Sequence, residues 1–261
     1  MLRSSGLALV LAALCGASAI NTSLATATTV SAGDIVDKNI AARGGLAAWR
    51  GVQTLSWKGK MDAGGHVKPA GAASTEQAQL PFSLDMKRSR KTRLEIEFKG
   101  QTAVQVYDGT QGWKVRPFLN RHEVESFSAD ELKAIASQAD LDGPLVDYAA
   151  KGTTVELGGV EKVDGKDAYK LKLTLKNKQV LHEWIDAKTF LEVKVEGVPR
   201  RLDNKYHPVF IHLRDYRAVD GLMIPHLLET SVQGVPATEK ILIEKVVVNP
   251  TLSESRFAKP T

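Results

Sequence analysis

VYDGTQGWKVRPF, at residues 106–118, carries the clearest indication of how this chain folds. An alternating run ends at Tyr107, the pair Asp108–Gly109 follows, and a second alternating run begins at Trp113. Asp-Gly between two such runs indicates a tight β-hairpin, because glycine adopts positive φ at little cost and aspartate tolerates the turn. The stretch therefore predicts a hairpin, with Trp113 on the apolar side of its second strand.

The same turn chemistry recurs further along the chain. Asp-Gly pairs occur again at residues 164–165 and 220–221, and residues 186–189 (DAKT) form a comparable turn without glycine. Short turns of this kind join antiparallel neighbours. The sequence thus predicts an antiparallel sheet that is built from successive hairpins.

About ten segments alternate between apolar and polar residues, which is the period of a strand buried on one face. In residues 93–99, for example, Leu94, Ile96 and Phe98 alternate with charged residues. We interpret the apolar members of these runs as the inner face of one sheet and as the lining of a hydrophobic ligand cavity. They are Leu55, Trp57, Met86, Leu94, Ile96, Phe98, Val104, Val106, Trp113, Val115, Leu171, Leu173, Leu175, Leu191 and Val193.

Helices are predicted at two places. Ser31, with Asp34 three residues later, caps a helix that ends at Gly44–Gly45, and residues 46–49 add a short second turn. Between two groups of strands, residues 128–131 (SADE) form a capping box that opens another helix.

Two further segments lie between predicted strands. Pro144 is placed to begin a third helix, PLVDYAA, which Gly152 would end. Residues 68–79 are rich in Ala, Gly and Ser, so we predict a mobile loop there.

The width of the sheet indicates its shape. Ten strands at about 4.8 Å each span roughly 45–50 Å, which two or three short helices of about 10 Å diameter cannot cover. A flat sheet would expose a large apolar surface, so the sheet must curl. The prediction is an α+β, mainly antiparallel fold: a strongly curved, incomplete β-barrel with two or three helices over its open side. Its interior can be packed by its own side chains or can hold a ligand, and the sequence leaves both open.

The N-terminus has the pattern of a secretory signal peptide. Arg3 precedes the apolar residues 7–14, and small residues allow cleavage after Ala19 or Ala27. The apolar run is too short to span a bilayer. We therefore predict a signal peptide at residues 1–27 and one domain at residues 28–261.

Cysteine and charge narrow the function class. The single Cys15 follows Leu14, which is not the small residue that a lipid-anchoring site requires, and removal of the signal would leave no thiol for disulfide chemistry. The net charge of the chain is only +5, with 35 basic and 30 acidic residues. Such a mild excess does not indicate nucleic acid as a partner.

Catalytic motifs are not recognisable in the sequence. The six histidines form no HExxH pair, and His182 and Glu183 are neighbours in a strand, where adjacent side chains point to opposite faces. Nucleophile-elbow and phosphate-loop patterns are also missing. We predict a protein that is not an enzyme and carries no cofactor or metal. A periplasmic hydrolase remains an alternative, because paired carboxylates need no local spacing.

Residues 87–93 (KRSRKTR) are the densest cluster of charge. Charges at a strand end keep a hairpin soluble and block edge-to-edge pairing. The alternative is a docking patch for lipid head groups or an acidic partner. The residues of that predicted patch are Lys87, Arg88, Arg90, Lys91 and Arg93.

Several segments together resemble the LolA-like family of periplasmic outer-membrane lipoprotein-sorting proteins. These are the signal peptide, the first helix with Gly-Gly, and TLSWKGKM at residues 54–61. The charged strand and YDG-x-x-GW hairpin at residues 87–118 follow, with DYRAVDGLMIP and VVVNPTLSESRFAKP near the end. The resemblance covers most of the mature chain and rests on the order of the motifs.

This resemblance implies a half-barrel whose hydrophobic cavity accepts acyl chains, and an arginine that holds the cavity closed, for which Arg88, Arg90 and Arg93 are equally placed. It implies a periplasmic carrier or chaperone whose partners are lipoprotein acyl chains or lipid, and we expect the protein to be a monomer. The alternative within the same fold is an envelope sensor or adaptor that contacts a protein partner.

Overall fold

The computed structural model describes residues 30–62 and 79–261, so the predicted signal peptide and all but the last residue of the predicted loop lie outside the described residues. The helices are α1 (Ala32–Ala42), α2 (Leu46–Gly51) and α3 (Ala129–Gln138), with 3-10 helices at Pro117–Leu119 and Glu254–Phe257. The strands are β1 (Thr54–Asp62), β2 (Gln79–Lys87), β3 (Lys91–Phe98), β4 (Gln101–Tyr107), β5 (Gly112–Arg116), β6 (Arg121–Ser126), β7 (Thr154–Val163), β8 (Lys166–Thr174), β9 (Val180–Asp186), β10 (Glu192–Glu196), β11 (Arg200–Leu202), β12 (Lys205–His207), β13 (Val209–Val219), β14 (Leu222–Val232) and β15 (Thr238–Val248).

One antiparallel sheet dominates the described residues. Thirteen strands pair in the order β6-β5-β4-β3-β2-β1-β15-β14-β13-β10-β9-β8-β7, and β11 and β12 form a separate ribbon. The predicted antiparallel α+β fold is confirmed, with more strands than the ten expected. The sheet is not closed, since β6 and β7 are its two edges.

The sheet wraps around helix α1. Leu55 of β1 and Leu171 of β8 belong to one buried cluster that also contains Ile35 and Ile40 of α1. In the sheet, β1 and β8 are six positions apart, which would be roughly 29 Å in a flat sheet. Both strands reach the same helix only because the sheet is strongly curved. The predicted incomplete barrel is therefore confirmed, with its helices on the concave face.

The predicted helix signals are confirmed at both capping boxes. The Ser31 hydroxyl accepts a hydrogen bond from the Asp34 backbone N–H, and the Asp34 carboxylate accepts from the Ser31 N–H in return. Ser128 and Glu131 form the same reciprocal pair at the start of α3. None of the helices in residues 30–62 and 79–261 is long and apolar enough to cross a membrane.

The predicted Asp-Gly turns are confirmed as hairpin turns. Asp164 and Gly165 have φ values of 49° and 78°, and Asp220 and Gly221 have φ values of 48° and 83°. Two consecutive residues with positive φ match the right-handed twist of the flanking strands. At the β4–β5 turn, the Asp108 carboxylate accepts hydrogen bonds from the backbone N–H groups of Thr110 and Gln111.

The helix predicted from Pro144 is wrong. Residues 141–152 form consecutive turns instead. Asp147 has φ of 52°, a left-handed conformation that interrupts a right-handed helix. Its carboxylate accepts two hydrogen bonds from the Arg50 guanidinium, at 2.6 and 3.0 Å, so a contact from distant sequence accompanies the break.

The interpretation of all alternating apolar residues as one inner face is also wrong. Strand register pairs Arg93 with Val106 and Val106 with Trp113, whereas Leu94 pairs with Gln105. Directly paired residues in antiparallel strands point to the same face. In β4 and β5, the apolar side chains therefore lie on the convex face, opposite Leu94. They are Val104, Val106, Trp113 and Val115.

The C-terminal segment explains why β4 is apolar on its convex side. Arg256, in the last 3-10 helix, forms ion pairs with Asp85 at 2.6 Å and Glu95 at 3.0 Å on the convex face. Arg93, the direct neighbour of Val106, donates to the Arg256 backbone oxygen. This segment covers the convex face locally, and Val106 is consequently fully buried.

Candidate functional site

The concave face of the sheet has two ends that differ in packing. At the end next to α1 and α2, a cluster of fully buried side chains fills the space, and we call it the packed end. Its sheet members include Leu55, Leu171, Leu173, Ile185 and Ile224, and its helical members include Ile35 and Val36. These side chains are at most 1% exposed, so this part of the interior is a solid core.

At the other end of the concave face, large apolar side chains remain partly exposed, and we call this the open end. They are Met61, Leu84, Leu94, Ile96, Leu228 and Ile241. Register makes them neighbours: Met61 pairs with Ile241, Ile241 pairs with Leu228, and Leu84 pairs with Leu94. Phe82 and Ile243 lie between these groups on the same face and are buried. The partly exposed apolar side chains around them are accessible to an apolar ligand.

The structure divides the predicted cavity residues among four environments. Leu55, Leu171 and Leu173 belong to the packed end, and Trp57 and Met86 pack against it while staying partly exposed. Leu94, Ile96 and Phe98 share the concave face beyond it. Val193 packs with Ala168 and Trp184 on the convex face. Leu175 and Leu191 lie outside β8 and β10, in the turns at either end of β9.

Arg88 connects the β2–β3 turn to the helical side of the molecule, by which we mean α2 and the turns of residues 141–152. Its guanidinium donates to the backbone oxygens of Val52 at 2.7 Å and Trp49 at 2.6 Å, and to the Asp142 carboxylate at 2.7 Å. Asp142, which is 3% exposed, also accepts from Lys151 at 2.6 Å. Helix α2 and the turns of residues 141–152 are therefore both held by one side chain, which we call the Arg88 latch.

The other residues of the predicted docking patch also have intramolecular partners. Lys87 and Lys91 both pair with Glu254 at 2.6 Å, and their hydrogen bonds lower the pKa of Glu254 to about 2. Arg93 pairs with Glu95 at 2.7 Å. Arg90 has the longest pair, 3.8 Å to Asp140, and the most exposed side chain of the five. The two pairs with Glu254 join the hairpin to the C-terminal segment. A docking role stays a prediction.

Charged groups lie inside the half-barrel. Glu192 forms an ion pair with Arg43 at 3.1 Å and accepts a hydrogen bond from the Tyr216 hydroxyl at 3.2 Å. Arg43 also stacks over the Trp49 ring, at 4.3 Å. Burial, and then the neighbouring Glu192, raise the pKa of Tyr216 well above its ordinary value. This group is a buried polar network that the sequence motifs did not indicate.

Glu183 is a buried acid beside that network. It pairs across the sheet with Leu171 and Val195, and is 7% exposed. No atom of residues 30–62 and 79–261 forms a hydrogen bond with its Oε2. Burial, followed by the nearby Glu192 charge, raises the pKa of Glu183 to about 8, although Arg43 acts in the opposite direction. The carboxyl group is therefore mostly protonated at neutral pH, when it is a hydrogen-bond donor.

A sequence signal for Glu183 did exist. In residues 182–185 (HEWI), Trp184 is apolar, so alternation places Glu183 on the opposite face. The neighbouring strand has Leu171 and Leu173 on that opposite face, which fixes it as the interior. Recognising the buried acid would have required knowledge of the β8–β9 register.

Metal ligation finds no support in the described part of the chain, where no cluster of three or more His, Cys, Asp or Glu side chains has a suitable arrangement. Two of the histidines there contact other groups. His182 lies 2.9 Å from Glu196, and the Nδ1 of His226 lies 3.0 Å from the Ile224 backbone oxygen.

Comparison with solved structures agrees with this architecture. A LolA superfamily protein from Nitrosomonas europaea superposes with a TM-score of 0.57 at 14% sequence identity, covering 88% of this chain and 99% of that one. A DUF1329 family protein from Desulfovibrio piger gives the same TM-score and identity, covering 88% of this chain and 98% of its own.

A third structure, a putative outer membrane lipoprotein-sorting protein domain from Vibrio parahaemolyticus, gives a TM-score of 0.54 at 13% identity, covering 87% of this chain and 95% of that one. No protein-family model and no curated protein matches the sequence. At these identities the likeness concerns the fold, and the chain has the LolA-like fold that its motifs predict.

Proposed function

We propose that this protein is a periplasmic carrier, not an enzyme, that binds the acyl chains of lipids or lipoproteins on the concave face of its half-barrel. The observation that carries the proposal is the open end, where Met61, Leu94, Ile96 and their neighbours stay partly exposed while the packed end is solid. Apolar surface inside a curved sheet is stabilised by covering it with an apolar ligand, at roughly 25 cal/mol per Å² removed from water.

The predicted signal peptide supports a periplasmic location, and the fold supports the class of ligand. The Nitrosomonas protein is described as a member of the LolA superfamily, and the Vibrio domain as a putative lipoprotein-sorting domain. We carry the acyl ligand over from that description as part of the proposal.

The Arg88 latch supplies a means to control access. It holds α2 and residues 141–152 through two backbone oxygens and one buried carboxylate. Of the three arginines that the resemblance leaves open, Arg88 alone has contacts of this kind to the helical side. We therefore propose Arg88 as the arginine that keeps α2 and residues 141–152 over the packed end of the concave face until a ligand or partner displaces it.

A direct test uses native mass spectrometry of protein purified from its host envelope, together with titration of a fluorescent acyl probe. Co-purified lipid or acylated peptide and saturable probe binding are expected. Ile96→Arg places a charge on the concave face and should abolish probe binding. Glu97→Arg, one residue away on the convex face, is the matched control and should bind normally. Equal binding by both variants, or no ligand and no probe binding in the wild type, would contradict the proposal.

A second candidate, an envelope sensor or adaptor, is favoured by one edge of the sheet. Strand β7 is an edge strand, and its Val160 and Leu157 are 56% and 39% exposed. Such an edge can accept a strand from a protein partner. Cross-linking from a residue placed at Val160, in intact cells, distinguishes this candidate because a pure lipid carrier would give no specific protein adduct there.

A further inference from the structure

Glu183 is the feature of the interior that packing does not explain. An acid that is 7% exposed, with an Oε2 that no described residue contacts by a hydrogen bond, is costly to keep in an apolar surrounding. Structural buried acids normally have full sets of partners. Glu192 illustrates this, because it holds both Arg43 and Tyr216.

Glu183 also lies among both fully buried and partly exposed apolar side chains of the concave face. On its own strand, Ile185 on one side is fully buried in the packed end, and Leu181 on the other side is partly exposed. Across the sheet, Leu171 is fully buried, whereas Val195 is partly exposed. An acyl chain that covered the partly exposed Leu181 and Val195 would therefore end beside Glu183.

A second polar atom in the same interior is unpaired. The indole Nε1 of Trp57 is buried, and no acceptor for it exists among residues 30–62 and 79–261. Trp57 lies on the concave face, where it pairs with Leu84 and Val246. An indole N–H only donates, so this group calls for an acceptor from outside the described residues.

We propose that Glu183 is a specificity-determining residue whose buried and otherwise unpaired carboxyl group donates a hydrogen bond to the carbonyl oxygen of a bound acyl ester or acyl amide. This inference rests on the proposed carrier function and identifies the polar group of its ligand. A bare hydrocarbon would leave Glu183 unpaired. The acyl carbonyl is the acceptor that every ester- or amide-linked fatty chain carries at the end of its hydrocarbon.

The surroundings of Glu183 determine how this contact depends on pH. The charged and titratable groups facing it from other elements are Glu192 on β10, Arg43 after α1, and Tyr216 on β13. Tyr216 is neutral at physiological pH, and Glu192 and Arg43 offset each other as an ion pair. Above the Glu183 pKa of about 8, its carboxylate no longer donates and would repel a carbonyl oxygen. The contact is therefore present below that pH and lost above it.

The test compares palmitoyl lysophosphatidylcholine with its hexadecyl ether analogue, which lacks only the carbonyl group. Both displace a fluorescent acyl probe at about pH 6 and at about pH 9.5, on either side of the Glu183 pKa. At the lower pH the wild type should prefer the ester by about 3- to 10-fold, the contribution of one neutral hydrogen bond. The preference should disappear at the higher pH.

Two variants isolate the carboxyl group. Glu183→Gln keeps the shape and an N–H donor but cannot ionise, so it should keep the ester preference at both pH values. Glu183→Leu removes the donor, and ester and ether should then bind equally. If Glu183→Leu does not fold, the pH response of wild type against Glu183→Gln still decides the question. A palmitoylated dipeptide amide, titrated in parallel, shows whether the ester or the amide linkage is the better ligand.

The outcomes separate this inference from the function on which it rests. If the wild type binds both lipids equally at the lower pH, or if Glu183→Leu keeps the ester preference, the role of Glu183 is overturned while the carrier stands. If neither lipid nor the acylated peptide displaces the probe or binds at all, both proposals are overturned.

Discussion

The packed end and the open end of the concave face are made of the same residue types on the same curved sheet, and they differ in what covers them. At the packed end, α1 and α2 place Ile35, Val36 and Trp49 against Leu55 and other sheet side chains. At the open end, the apolar side chains keep part of their surface exposed. Alternation alone therefore identifies an interior face without showing whether that face is core or binding surface.

The contrast indicates that one end of a half-barrel can stabilise the fold while the other end binds a ligand. The packed end removes large side chains from water completely and so contributes most of the burial energy. The open end retains apolar surface that a ligand can cover. Variants at the two ends should accordingly separate effects on unfolding from effects on binding.

The largest effect is expected at the packed end. Leu173 is fully buried in the core cluster, so Leu173→Ala should lower the free energy of unfolding by about 2–5 kcal/mol, through lost burial and an unfilled cavity. Denaturant unfolding measures it, with Lys172→Ala on the convex face as the control. A cost close to that of the control would mean that the packed end is open after all.

The Arg88 latch should give the next largest effect. Arg88→Met leaves the buried Asp142 with Lys151 alone and removes donors from two backbone oxygens, so unfolding should become about 2–4 kcal/mol easier. Amide exchange should also accelerate in α2 and residues 141–152. Arg90→Met is the matched control, since the Arg90 side chain is 46% exposed and its ion pair is long; it should cost under about 0.5 kcal/mol. Equal effects for the two arginines would contradict the proposal that Arg88 controls access to the concave face.

At the open end, Leu94→Ala should cost clearly less stability, about 1 kcal/mol, because the side chain is only partly buried. The affinity of the Leu94→Ala variant for an acyl probe should also fall, because the variant loses apolar surface that the ligand covers. The comparison with Leu173→Ala is the informative quantity. A loss of stability as large as that of Leu173→Ala, with unchanged probe affinity, would place Leu94 in the core.

The smallest expected effect is spectroscopic. Trp57 lies on the concave face and Trp113 on the convex face, so an acyl probe should quench Trp57 and leave Trp113 nearly unchanged. Trp57→Phe should remove the probe-dependent signal, and Trp113→Phe should retain it. The reverse pattern would show that the ligand binds on the convex side.

Local signals predicted much of the fold. The two capping boxes, the Asp-Gly hairpins and the alternating strands depend on residues within a few positions of each other, and all three kinds of signal are confirmed. The curvature followed from the width of the sheet. The left-handed conformation of Asp147 was not predictable, because the Asp147 carboxylate binds the guanidinium of Arg50, which is distant in sequence.

The candidate site was less predictable than the fold. Which face of β4 and β5 points inward depends on the C-terminal segment, whose Arg256 crosses to Asp85 and Glu95 from the end of the chain. Alternation in a strand shows one apolar side but does not tell whether a helix, a remote segment or a ligand covers it. Alternation therefore predicts Trp113 on the inner face with Trp57, whereas the structure has it on the convex face.

The pairing of β1 with β15 has a consequence for how the molecule assembles. The first and last strands lie side by side at the centre of the sheet, between one group formed by β2 to β6 and another formed by β7 to β10, β13 and β14. Each group consists of local hairpins that form quickly, but joining them requires contacts across nearly the whole chain, which makes closure the slow step. We expect the two groups to form separately and to merge only when the last strand arrives, so the loss of β15 would leave two disconnected half-sheets.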